Sequence, residues 1–193
     1  MQIQRIKKEF QQKLLRPKVL VPFFIFIAIM FIFVIPNWNN IKGTFFIGLF
    51  FVLGSLSYFY RRFFEIRLGV EFISVGTFLC TLAYGVPTGL FVGNVSSFLA
   101  ELIGAKIDER ILINLFSINA LVLVTPFLTF LIPGQILLAA LLANFVYNVI
   151  GVGGNLLLGG NPGKTIVFVS TNVFWTVAFF LKIGPILYAI MTG

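Results

Sequence analysis

Residues 68–110 read LGVEFISVGTFLCTLAYGVPTGLFVGNVSSFLAELIGAKIDER, and their pattern decides the fold class. Two apolar segments, 68–85 and 87–104, are joined by the turn Tyr84-Gly85-Val86-Pro87-Thr88-Gly89. In the second segment Gly89, Gly93, Ser97, Ala100 and Gly104 recur at steps of four, four, three and four, so one narrow helical stripe carries almost no side chain. Two helices meeting on such a stripe pack backbone to backbone. In lipid, where apolar burial no longer distinguishes one helix face from another, small residues mark the contact face. Gly85, Pro87, Gly89, Gly93 and Ser97 are therefore assigned to helix packing.

The wider chain agrees with a membrane setting. Its 193 residues are 59% hydrophobic and 10% charged, with a mean hydropathy of +1.05, far from the usual soluble domain. Apolar runs at 19–35, 44–60, 68–85, 87–104, 111–132, 136–153 and 165–190 approach the length that crosses a bilayer. The expectation is an all-α, polytopic transmembrane helical bundle of six or seven spans. The last run is marked for a break at Lys182-Ile183-Gly184-Pro185. Residues 1–18 form a separate basic amphipathic segment, and 19–193 a single transmembrane domain.

The formal charge of +8 does not point to nucleic acid, because six of the fourteen Lys and Arg residues lie within the first 18 positions. There Ile3, Ile6, Phe10 and Leu14 repeat at helical spacing, as in a helix lying on a membrane surface. Loops 1–18, 61–67, 105–110 and 154–164 hold 6, 3, 2 and 1 basic residues, whereas the opposite loops hold only Lys42. That asymmetry places the amino terminus in the cytoplasm of a cell whose plasma membrane the chain crosses repeatedly. The chain has no His and one Cys, Cys80 in an apolar run, so His-based triads, zinc sites and disulfides are set aside. No cofactor motif and no enzymatic constellation are read.

Polar residues inside the spans carry the functional signal. Glu71 heads a stripe of Ser74, Thr77 and Thr81, and Arg67 precedes it by four; an ion pair at headgroup level is favoured over a functional carboxylate. Glu101, near Lys106 and Arg110, is read as interfacial or functional with equal weight. In the sixth span Ala140, Asn144, Asn148, Gly151 and Asn155 align three amides and two small residues on one face. Such a face either bonds to neighbouring helices or lines a polar cavity between them. Asn114, Ser117 and Asn119 in the fifth span, and Asn172, Trp175 and Thr176 in the seventh, supply facing walls. The run Gly159-Gly160-Asn161-Pro162-Gly163-Lys164-Thr165 has Leu158 where a phosphate-cradling loop needs glycine, and it is read as a flexible cytoplasmic turn.

The arrangement from Glu71 to Gly104 resembles the substrate-binding S components of energy-coupling-factor vitamin transporters, and the wider superfamily that takes in the rod-shape protein MreD. In those families an apolar span ends in a turn of the form Gly-Pro-x-x-Gly, and the next span opens with small residues and ends in an acidic group. Gly85, Pro87, Gly89, Gly93 and Glu101 correspond here, with Pro87 displaced by one position. The resemblance implies a component that binds and takes up a small, vitamin-like molecule between its later spans, in company with transmembrane and ATPase subunits. Asn119, Asn144, Asn148, Asn155, Asn172 and Trp175 are the candidate substrate-binding residues. The alternative is a non-transporting scaffold of the MreD type that binds partner membrane proteins. The loop charges yield a direct prediction: a reporter fused after Arg67 reads cytoplasmic, and an external reading reverses the orientation.

Overall fold

Polar groups within an apolar helical bundle have to face other helices, and the central helix of this bundle is built on that requirement. The computed structural model describes residues 38–62, 68–104 and 110–193. They form α1 (Trp38–Leu56), a short 3-10 helix (Phe59–Arg62), α2 (Phe72–Tyr84), α3 (Val86–Ile103), α4 (Arg110–Leu131), α5 (Ile136–Leu157), α6 (Pro162–Lys182) and α7 (Gly184–Thr192), with no strand among the described residues. Gly43–Gly193 make one compact unit. The preceding unit, residues 1–42, falls almost wholly outside the described residues, and with it the amphipathic segment 1–18 and the run 19–35.

Five helical stretches are long and apolar enough to cross a membrane: Ile41–Arg61, Val86–Ile103, Arg110–Leu131, Ile136–Leu157 and Pro162–Lys182. The run expected at 68–85 is helical only over Phe72–Tyr84, because residues 68–71 are not helical and Glu71 is extended. At 1.5 Å per residue its 13 residues reach about 20 Å, short of a hydrocarbon core of about 30 Å. The last run divides where the sequence marked it, at Ile183 between α6 and α7.

α2 lies at the centre, packed against α3, α4, α5 and α7. Every residue from Ile73 to Thr81 is buried, the hydroxyls of Ser74, Thr77 and Thr81 included. The turn into α3 is a single residue, Gly85, at φ 89°, a conformation that side chains disfavour. Pro87 follows within the first turn of α3, where its missing N–H has no partner to lose. The two helices then run antiparallel at close range. A Cβ on Gly89 would lie 1.9 Å from Thr81 Oγ1, and one on Gly93 would lie 2.8 Å from Thr77 Oγ1 and 2.5 Å from Ile118 Cγ2 of α4. Ser97 and Ala100 continue the buried face. Phe50 of α1 fills the space that Gly76 leaves, and Phe78 of α2 meets Phe180 of α6 edge to face at 5.3 Å.

Large apolar side chains point the other way. Phe91, Phe116, Phe127, Phe130, Phe145 and Phe174 are exposed while Ser, Thr and Asn are buried, an inversion of the soluble pattern that suits lipid outside. Gly93→Ala should lower thermal stability in detergent by about 1–3 kcal/mol, the usual range for overpacking. Gly48→Ala, whose Cβ would meet nothing within 4 Å, should cost nothing. Equal melting of both variants would remove the close approach of α2 and α3 as a source of stability.

Candidate functional site

The residues before α2 determine how the site is assembled. Leu68-Gly69-Val70-Glu71 has no helical partners for its backbone, and side chains from elsewhere take their place. Thr171 Oγ1 accepts from Gly69 N at 2.7 Å, Asn172 Nδ2 donates to Gly69 O at 3.0 Å, and Trp175 Nε1 donates to Glu71 O at 2.9 Å, all three from α6. Ser57 Oγ accepts from Phe72 N at 2.9 Å. A Cβ on Gly69 would lie 2.3 Å from Phe168 O and 2.4 Å from Asn172 N, so the segment presses directly on the α6 backbone.

This course carries Glu71 inward. Its side chain is 0% exposed, and its two carboxylate oxygens accept from Tyr58 Oη at 2.5 Å and from Tyr147 Oη of α5 at 2.8 Å. Glu71 is thus buried against two tyrosines, and the ion pair expected with Arg67 falls on a residue outside the described ones. Tyr147 was missed, although its place beside Asn148 on the polar face of α5 was the available signal.

Glu101, near the end of α3, is also buried. It forms an ion pair with Arg61 Nη1 and accepts from Asn114 Nδ2 of α4 at 2.8 Å. The Arg61 guanidinium lies 5.2 Å from the centre of the Tyr58 ring, within cation–π range. One connected set of contacts thus runs from Tyr147 through Glu71, Tyr58 and Arg61 to Glu101 and Asn114. The Arg61 partner stands forty positions from Glu101, beyond any reading of local spacing.

Beside this set is a cavity of about 380 Å³, at the end of the bundle that carries the turn from α5 to α6. Arg61, Glu101, Arg110, Asn155, Lys164 and Thr165 supply its polar walls, with Ile113, Val152 and Phe168 among the apolar ones. Gly159 at φ 72° opens the turn. Asn161 then caps α6, its Oδ1 accepting from Lys164 N at 3.2 Å. The stretch read as a flexible turn to Thr165 is thus helical from Pro162 onward.

Of the six candidate binding residues, the cavity receives Asn155. Asn144 Nδ2 donates to Thr176 Oγ1 and Asn148 Nδ2 to Asn172 Oδ1, each at 3.0 Å, so these amides join α5 to α6. Asn144 also borders a void of about 10 Å³ with Ser74, close to the size that holds one water. Trp175 bonds the extended segment, and Asn119 Oδ1 accepts from Asn94 Nδ2 of α3 at 2.8 Å. Among the described residues no three His, Cys, Asp or Glu side chains converge as a metal site would need. Compared with known proteins, the chain matches no family model, no curated protein and no solved structure.

Asn172 holds Asn148 and Gly69 at once, so Asn172→Leu should cost about 1–3 kcal/mol for the buried groups it leaves without partners. Asn119→Leu, on a half-buried pair, should cost less. A larger loss for Asn119→Leu in thermal melts would dismiss the clasp on the extended segment as a main support.

Proposed function

We propose that this chain is a membrane-embedded binding component for a small, partly polar molecule, of the kind the resemblance to S components implies. The observation that carries the reading is the cavity of about 380 Å³, which falls in the range of small-molecule sites, about 300–1,000 Å³. Its walls come from five separate stretches of chain, and charged and amide side chains converge there beside Ile113, Val152 and Phe168. Arg61, Glu101 and Asn114 are already fixed by one another, so binding spends little on ordering them. Uptake across the plasma membrane, with transmembrane and ATPase subunits as partners and the amino terminus in the cytoplasm, completes the proposal.

A second reading, a non-transporting scaffold of the MreD type, draws on a different observation. The Asn144–Thr176 and Asn148–Asn172 bonds join α5 to α6 and favour cohesion on that polar face, while Asn144 Oδ1 and Asn148 Oδ1 have no partner among the described residues. The cavity weighs against this reading, since a scaffold has no need of one.

Gly151 lines the cavity, and a Cβ there would meet only Ser117 Oγ, at 3.5 Å. Gly151→Leu should therefore occupy the cavity while keeping the melting temperature of the ligand-free protein. Native mass spectrometry of the detergent-purified wild type should show a bound small molecule that this variant loses. Identical spectra for wild type and variant would transfer preference to the scaffold.

A further inference from the structure

We propose that the cavity receives an anionic group, a phosphate or carboxylate, held among Arg61, Arg110 and Lys164. The inference rests on the reading of the cavity as a ligand site and adds the chemical class of the ligand. Its lining carries three cationic side chains and one carboxylate, Glu101. That carboxylate is engaged by Arg61 and by Asn114, so the negative wall is compensated within the protein. Among the described lining residues, cationic side chains outnumber carboxylates three to one.

The cations are arranged in depth. Arg61 is 12% exposed and lies against Tyr58 at the inner end. Its contact with Glu101 is through Nη1, and a guanidinium has five N–H donors, so it retains donors for a second oxyanion. Arg110 opens α4 and Lys164 lies in the first turn of α6; both are exposed at the outer end, where they attract an approaching anion. The amino-terminal end of α6 adds a weak field of the same sign. Its amides are not the main holders, because Pro162 has none and Asn161 already accepts from Lys164 N and Thr165 N. Side-chain cations therefore do the binding, and arginine matches the planar, two-oxygen face of phosphate and carboxylate.

Such a group can belong to a soluble metabolite or to the headgroup of an anionic lipid, and the test separates these sources. Thermal melting is followed with pyrophosphate and with citrate, against sodium chloride of equal ionic strength to remove general screening. A parallel series uses nanodiscs of phosphatidylcholine with and without phosphatidylglycerol. Wild type should melt higher with a soluble anion, with phosphatidylglycerol, or with both, and the responding series names the source. Lys164→Gln and Arg110→Gln, both at exposed positions, should each weaken the effect by about tenfold, as expected for loss of a hydrogen bond between charged groups. Circular dichroism of each variant confirms that it is folded. The proposal is overturned if neither series shifts the melting of wild type, or if both variants respond as wild type does. A bound molecule that is neutral or cationic by mass, and lost in Gly151→Leu, overturns the anion while keeping the cavity. An anion response unaltered in Gly151→Leu shows that the cavity itself is wrongly assigned.

Discussion

Backbone amides and carbonyls deprived of water need partners, and the bundle's most demanding case is the four-residue segment ahead of α2. A helix would satisfy those groups internally. The extended chain at 68–71 does not, and where it is buried, at Gly69 and Glu71, its polar groups need partners from the protein around them. Thr171, Asn172 and Trp175 meet that demand from one face of α6, at successive and four-residue spacings. The alignment of α6 against α2 follows from these bonds, and so does the inward turn of Glu71. Phe72 packs edge to face on Trp175 at 5.3 Å, which fixes the indole whose N–H holds Glu71 O.

From Glu71 the constraint passes to the cavity. Tyr147 both donates to Glu71 and lines the cavity, and Tyr58 donates to the other oxygen while carrying Arg61 on its ring. The wall that presents Arg61 is thereby tied to a buried carboxylate on one side and to Glu101 on the other.

The sequence was legible where a feature is periodic and local. The small-residue stripe of α3 is buried as its spacing predicts, because only Gly, Ser and Ala admit the approach of α2. The amide stripe of α5 faces Asn172 and Thr176, which had been picked out as an opposing wall on the same periodicity. Legibility ended where contacts are distant in sequence. Local spacing drew attention to the Arg four residues before Glu71, whereas the bonds from Tyr58 and Tyr147 come from other parts of the chain, where spacing says nothing. The expected start of the third span differs likewise, since 68–71 is not helical and its backbone is bonded by side chains of α6. Arg61, Arg110 and Lys164 belong to three different loops or helix ends, and nothing in their spacing states that folding gathers them around one cavity.

The one-residue turn at Gly85 has a consequence for how the chain enters the bilayer. α2 alone is a poor passenger: it is short, and its Ser and Thr hydroxyls have no neighbours to meet in lipid. Joined to α3 with no slack, it does not travel separately. Thr77 and Thr81 lie against Gly93 and Gly89, so the hairpin, rather than either helix alone, is the unit in which those hydroxyls are covered.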